Sequence, residues 1–276
     1  MKITKCTICD SPSKLEFRYT DWDVFRCEQC LHAFSNNIKK DIDEIYNEKY
    51  FEKNWFRYPN LKLYNSIENI LYKKFGKVAN VHDLGCGNGN FLYYIYEKGY
   101  HNLSGSDIIS CLRKELDGKV NFMHSSFDSI EANHTYDFVI SIANIEHVSD
   151  VHEYTKILHN LLKPGGVAAI YTINENALIY WLSRLLRKFG ILFASKQLYD
   201  PHHINHFSKK SLKTLLVNND FHFLESQTSN FPLKSTDIFV DSPVARKIVL
   251  FGISIINMLS SLSKTEIGQL VFVQKK

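Results

Sequence analysis

The chain is poor in residues that interrupt regular structure, with 6 prolines and 12 glycines among 276 residues. With 45% hydrophobic and 22% charged residues, that scarcity excludes collagen-like, mucin-like and mainly disordered chains. Internal repeats and low-complexity segments are also missing. No apolar run is long and unbroken. The longest, Ile248 to Leu262, contains Gly252, Ser254, Asn257, Ser260 and Ser261, and falls short of the roughly 20 residues that span a bilayer. Met1 to Cys9 has no apolar core of the kind a secretory leader needs, so a cytoplasmic protein is expected. The net charge of +4 is too small to mark a nucleic-acid binder, but it is unevenly spread. Residues 1–60 are neutral, with 10 basic and 10 acidic side chains, whereas residues 161–276 carry 14 and 7. An anionic partner is expected to meet the last third.

Six cysteines divide four and two. Cys6, Cys9, Cys27 and Cys30 form two Cys-x-x-Cys pairs separated by 17 residues, while Cys86 and Cys111 stand alone. Four clustered thiols without export read as ligands of one tetrahedral zinc rather than as disulfides. Four thiolates leave no open position, so this ribbon is expected to be structural.

Hydrophobic periodicity predicts three parts: a zinc ribbon at 1–36, a connector and helical cap at 37–78, and an α/β domain at 79–276. Strand patterns near 79–84, 103–107, 120–123, 137–142 and 167–173 alternate with helical ones at 90–98, 108–116, 128–132 and 151–162. That alternation predicts a parallel sheet with helices on both faces. Beyond it lie helices at 177–189, from Ser208 to Asn218 and at 245–262, with strands at 221–228 and 268–274. Segments 176–210 and 230–265 are expected to cover an acceptor site.

Gly85-Cys86-Gly87-Asn88-Gly89 directly follows the first of these strands. Glycines there let the main chain turn tightly and approach a ligand. Asp107 ends the next strand, where a carboxylate accepts two ribose hydroxyls. Asn90 replaces the small residue of a dinucleotide fingerprint, and no Gly-Lys-Ser/Thr follows. A ligand with a ribose but no pyrophosphate fits better.

These residues resemble the class I S-adenosylmethionine-dependent methyltransferases. The match runs in family order from Asp83-x-Gly85-x-Gly87-x-Gly89 through Asp107, Tyr136-Asp137-Phe138-Val139-Ile140 and Glu146-His147-Val148 to Leu161-Leu162-Lys163-Pro164-Gly165-Gly166. The resemblance implies a seven-stranded Rossmann-like sheet whose last strand is antiparallel. It implies S-adenosylmethionine as cofactor, with its methionine part on the loop Gly85, Cys86, Gly87 and Gly89. Asp107 then binds the ribose, Ser126 and Phe127 flank the adenine, and Asp83, Phe91, Ile108 and Ala143 complete the cofactor-binding set.

Methyl transfer from a sulfonium requires alignment of donor and acceptor and, often, removal of a proton. His147, after the fourth strand, is the first candidate base. The segment Asp200 to Ser208 resembles the His-x-x-x-Phe-Ser stretch of small-molecule methyltransferases, which points to His203 and His206, with His202, Tyr171 and Asn174 behind them. Quinone-ring O-methyltransferases of this family pair a Glu-x-x-Glu-His segment with a divalent metal. Here Ala143 takes the first position, so no catalytic metal is expected.

A ribbon followed by aromatics such as Tyr46, Tyr50 and Phe51 resembles methyltransferases acting on sugars or other small molecules. A ribbon is also found in ribosomal RNA guanine methyltransferases. The neutral charge of residues 1–60 argues against gripping RNA, so nucleic acid is not the expected partner. The leading expectation is methylation of a hydroxyl on a sugar or nucleotide-linked sugar of a surface glycan. The alternatives are a ribosomal RNA base methyltransferase and a non-enzymatic binding module on a degenerate scaffold. The basic and apolar helices 177–189 and 245–262 could form a lid, a dimer face or a peripheral membrane contact.

Overall fold

Seven strands form the central sheet of the computed structural model, which describes residues 3–36, 54–130, 134–200, 202–235 and 242–276. In chain order they are β5 (Val81–Leu84), β6 (Leu103–Asp107), β7 (Asn121–His124), β8 (Tyr136–Ile142), β9 (Leu162–Ile173), β11 (Phe221–Ser229) and β12 (Gly268–Lys275). Their spatial order is β11-β12-β9-β8-β5-β6-β7. β12 runs antiparallel to both of its neighbours, and the other pairings are parallel. This is the sheet the resemblance implies. Residues 37–53 of the connector, including Tyr46, Tyr50 and Phe51, lie outside the described residues, and the described chain resumes at α1 (Asn54–Arg57).

Every residue of β5 is buried, as expected for a central parallel strand covered on both faces. One face packs against α2 (Leu61–Phe75) and α3 (Asn90–Glu97), through Ile67, Leu71, Leu92 and Ile95. Leu63, Ile67 and Leu71 recur every four residues and so line one side of α2. The other face packs against α4 (Val151–Leu161) and α7 (Lys209–Asn218), through Tyr154, Leu158, Leu212 and Leu216. Ser208 and Ser211 form a reciprocal capping box that fixes where α7 begins.

The helix expected at 108–116 is not there. Only a short 3₁₀ turn, Lys114–Leu116, interrupts an irregular path. Tertiary contacts account for it. Asp107 Oδ1 accepts from Ile109 N at 3.0 Å, Arg113 N donates to Asn88 O at 3.1 Å, and the Arg113 guanidinium lies 3.8 Å from the Tyr93 ring centre. Leu112 and Leu116 pack so closely over Gly89 that a Cβ there would sit 2.6 and 2.8 Å from their methyl carbons.

The ribbon is formed by β1 (Ile3–Lys5), β2 (Pro12–Arg18), β3 (Asp23–Cys27) and β4 (Ala33–Asn36). A fifth strand joins it from far away in sequence: β10 (Asn205–His206) pairs antiparallel with β4. The boundary expected after residue 36 therefore does not isolate a free-standing module. Cys6, Ile8, Cys27 and Cys30 belong to the same buried cluster as Leu158 and Leu212.

Two helices follow β9, α5 (Leu178–Lys188) and α6 (Phe193–Leu198). The last helix, α8 (Pro243–Ser263), has 21 residues and a mean hydropathy of 1.4, so by length and composition it is long and apolar enough to cross a membrane. The sequence estimate stopped short because the serines and Asn257 interrupt the apolar run but not the helix. Val244, Ile248, Phe251, Ile255, Met258 and Leu262 recur at intervals of three and four and are all exposed.

Candidate active site

The C-terminal ends of the parallel strands are where an open α/β sheet presents its ligand crevice. Gly85, Gly87 and Gly89 there have φ of 76°, 55° and 76°, a region that favours glycine. Gly85 also has no room for a side chain, since a Cβ would lie 2.0 Å from Asn144 Nδ2. Asn144 donates to Leu84 O at 2.9 Å and to the Tyr154 hydroxyl at 3.2 Å. The loop is thereby clamped from the β8 side by a residue that sequence reasoning did not single out.

Asp107 closes the other side of the loop. Its Oδ2 accepts from Gly87 N at 2.7 Å and its Oδ1 from Ile109 N. Burial pushes its carboxyl up. Ser125 N donates to Asp107 O at 3.0 Å, which sets Ser126 and Phe127 beside this strand end, and Ile108 is half exposed there. Phe127 rests edge-on against Tyr154 with ring centres 5.3 Å apart. Phe91 is instead buried in the α2–α3 core against Tyr64, and Cys86 lies under the loop against Gly105.

Asp83 shows best what the pocket is shaped to receive. It is 2% exposed, and its Oδ1 has no hydrogen-bond partner among the described residues. Burial, and then the charge of Asp107, push its carboxyl up to about 8. An orphaned buried carboxylate beside a glycine loop calls for a cation. The ammonium and sulfonium of S-adenosylmethionine supply positive charge, and Asp107 matches its ribose, so these residues fit the cofactor.

On the acceptor side, β8 is followed by Ala143, which adopts a left-handed φ of 53° and turns the chain into Ile145–His147. His147 Nδ1 lies 2.8 Å from the carbonyl oxygen of His202. A carbonyl only accepts, so Nδ1 carries a proton and proton exchange with an acceptor would fall to Nε2. The His203 ring lies 4.9 Å from that of His147, centre to centre. Glu146 is buried, accepts from Thr172 Oγ1 at 2.7 Å, and is pushed up to about 7 by burial.

One ligand atom from each of Glu146, His147 and His203 lies within 4.8 Å of the others. The expectation of no catalytic metal rested on Ala143, and spatial proximity supplies a third ligand type that sequence adjacency did not. His206 differs from His203. It is fully buried among Tyr180 and Tyr199, and burial pushes it down to about 3. The structure brings His147 and His203 together and places His206 in the interior. Tyr171 and Asn174 are also buried, with Asn174 Nδ2 donating to Glu266 O at 2.9 Å.

The four ribbon cysteines are free thiols whose sulfurs lie within 4.8 Å of one another. Cys6 and Cys30 are 3.5 Å apart, and Cys9 and Cys27 are 3.6 Å apart. A tetrahedron with metal–sulfur bonds of about 2.3 Å has edges of about 3.8 Å, far longer than a disulfide. The two knuckles share a turn, with Asp10 N donating to Cys6 O and Leu31 N to Cys27 O, both at 3.1 Å, and main-chain N–H groups of Ile8 and Cys30 point at Cys6 Sγ and Cys27 Sγ, each at 3.4 Å. Each knuckle is followed by a left-handed residue, Asp10 or Leu31. The donor set fits a tetrahedral, sulfur-loving ion such as zinc.

Strand order, glycine loop and paired acidic residues together define the S-adenosylmethionine-dependent methyltransferase fold. A family model described as a methyltransferase domain matches residues 52–226, and the chain belongs to that family. A curated relative, the ubiquinone biosynthesis O-methyltransferase of Rickettsia akari, is 29% identical over 149 residues. The match covers 51% of this chain and 59% of that protein, so the chain spans about three fifths of the relative's length. Among solved structures, an Archaeoglobus fulgidus SAM-dependent methyltransferase superimposes with a TM-score of 0.56 at 19% identity, covering 83% of this chain and 100% of that one. The Burkholderia thailandensis 1,6-didemethyltoxoflavin-N1-methyltransferase, with its acceptor and S-adenosylhomocysteine bound, gives 0.54 at 13% identity, covering 95% and 99%.

Proposed function

We propose that the protein transfers the methyl group of S-adenosylmethionine to a hydroxyl of a small acceptor, with His147 as the general base. The observation that carries this reading is the fixed tautomer of His147 at the crevice, opposite a glycine loop backed by the orphaned Asp83. Bound S-adenosylmethionine would supply a methyl carbon on a sulfonium, open to in-line attack by an acceptor oxygen as the carbon–sulfur bond breaks and the neutral thioether leaves. Asp83 would balance the cofactor's ammonium and Asp107 would hold the ribose hydroxyls, while Asn144 keeps Gly85 pressed against the site. His147 Nε2 takes the acceptor's proton as the new carbon–oxygen bond forms.

A hydroxyl of a quinone precursor is the acceptor class that the name of the curated relatives suggests. The sugar hydroxyl expected from the sequence finds no support in those names and rests on the ribbon with its aromatic connector, the basic excess of residues 161–276 suiting an anionic acceptor. Methylation of protocatechuate, against a uridine-diphosphate sugar, with S-adenosylhomocysteine formation as readout, separates the two. No product from either, with cofactor bound, would count against the enzymatic reading.

The cluster of Glu146, His147 and His203 favours a second reading of the acceptor chemistry. In it these residues hold a divalent cation that lowers the acceptor hydroxyl's pKa. The ribbon, on this view of the protein, carries zinc in a structural role.

A further inference from the structure

We propose that the ribbon positions the acceptor-side histidines, and that Asn205 is the positioning residue through which it does so; this rests on the reading of His147 as proton acceptor. The segment carrying His203 is held by the ribbon as well as by the domain that the sequence assigns it to. Asn205 pairs with Phe34 and His206 with Ala33. Ser35 N donates to Ile204 O at 2.8 Å, and Ser35 Oγ donates to His203 O at 3.4 Å. Ser208 Oγ donates to the carbonyl of Cys30, one of the four cysteines, at 2.9 Å. The chain from His203 to Ser208 thus follows the ribbon's edge.

Asn205 makes the connection specific. It is 1% exposed. Its Nδ2 donates to Val148 O at 2.7 Å, which leaves Oδ1 to accept. The group facing Oδ1 at 3.2 Å is Nε2 of His32, so that nitrogen carries the proton. His32 is two residues beyond Cys30, and its own carbonyl accepts from Cys27 N at 2.8 Å. A continuous path therefore runs from the Cys27–Cys30 knuckle through His32 and the Asn205 amide to Val148, next in chain to His147. The second hold on His147 comes from the same segment, at the His202 carbonyl. Two of the holds on His147 thus come from a stretch of chain that the ribbon carries, while its main-chain N–H donates to Asn144 O at 2.9 Å.

Its geometry separates two functions that one domain would otherwise combine. The cofactor loop rests on β5, β6 and Asn144, and the path from the ribbon enters the turn between Asn144 and Val148 at its far end, where His147 N donates to Asn144 O at 2.9 Å. Loss of Asn205 should thus disturb His147 and leave cofactor binding in place.

The test compares the zinc-loaded wild type with Asn205→Ala. Three quantities are read: affinity for S-adenosylhomocysteine by calorimetry, kcat and KM for protocatechuate, and the His147 tautomer by ¹⁵N NMR, assigned with His147→Gln. The expected result is an affinity within about twofold of wild type, a kcat lower by about tenfold or more, and a His147 ring shifted from Nδ1–H to a mixture. An unchanged tautomer and kcat would overturn the proposal. If Asn205→Ala does not fold, the wild type is titrated with a thiol-competing chelator. Turnover lost in step with released metal, with S-adenosylhomocysteine affinity kept, supports positioning; both lost together overturn it. If wild type fails to methylate protocatechuate while the tautomer still responds to Asn205→Ala, the functional reading fails and the positioning stands.

Discussion

The proton on His147 Nδ1 is committed to the main-chain carbonyl of His202, 2.8 Å away and 55 residues distant in sequence. One hydrogen bond thereby decides which nitrogen faces the crevice and ties that choice to the loop after α6. A basic nitrogen whose tautomer is fixed in advance loses no orientation when it acts. His147→Gln keeps a donor near the carbonyl and removes the base. We expect kcat to fall by about 10²- to 10⁴-fold, with S-adenosylhomocysteine affinity within twofold. Full turnover by the variant would remove His147 as the base.

Asp83 predicts a pH dependence of cofactor binding. Its carboxyl, pushed up to about 8 without ligand, is protonated at neutral pH. A cationic ligand favours the carboxylate, so binding lowers this pKa and releases a proton. Affinity for S-adenosylmethionine should rise with pH and level off above about 8, as calorimetry in buffers of different ionisation enthalpy would show. Stability runs the other way. The folded state binds the proton more tightly than the unfolded state, so stability is lost as pH rises from the ordinary carboxylate range toward 8. Asp83→Asn should accordingly raise Tm at pH 8 and weaken cofactor binding at least tenfold. A variant with lower Tm and normal affinity would contradict both halves.

The cluster of Glu146, His147 and His203 predicts one metal site beyond the ribbon. Two imidazoles and one carboxylate suit Mn²⁺ or Zn²⁺ better than Mg²⁺. Titration of Mn²⁺ into zinc-loaded protein should show a single added site, lost in Glu146→Gln and weakened in His203→Ala. Undiminished turnover after exhaustive removal of that metal would leave the general base as the whole chemistry.

An apolar stripe on α8 predicts association with a lipid surface. Ile248, Phe251, Ile255 and Leu262 share one exposed side, and Arg246 and Lys247 lie near its N-terminal end. Sedimentation with vesicles containing anionic lipid should carry the protein down, and Phe251→Glu should reduce the bound fraction several-fold. Dimerisation abolished by the same substitution, without vesicle binding, would assign the stripe to a second copy.

Much of the fold was legible in the sequence. The helix at Leu61–Phe75 was readable because its apolar residues recur at helical spacing ahead of Gly76, and the strand near 221–228 because it opens on alternating aromatics. The segment after Asp107 was not, because contacts with Gly89, Asn88 and Tyr93 overrode its helical pattern. Glu175 was missed for a similar reason. It lies 1% exposed between Arg26 of the ribbon and Arg184 of α5, with Tyr199 donating to it at 2.6 Å, and no local spacing announces such a meeting.

What the sequence determined alone is whatever short-range chemistry enforces. The glycine loop, the acidic strand end and the two cysteine knuckles each lie within a few residues, so spacing was enough to find them. What only the tertiary structure decided is which histidines meet and what holds them. His147, His203, Asn205 and His32 come from three distant stretches, and a strand of two residues, β10, leaves no periodic signal. Its place is set by the unpaired edge of the ribbon and by burial of Asn205 between His32 and Val148, long-range interactions that exist only once the chain has folded.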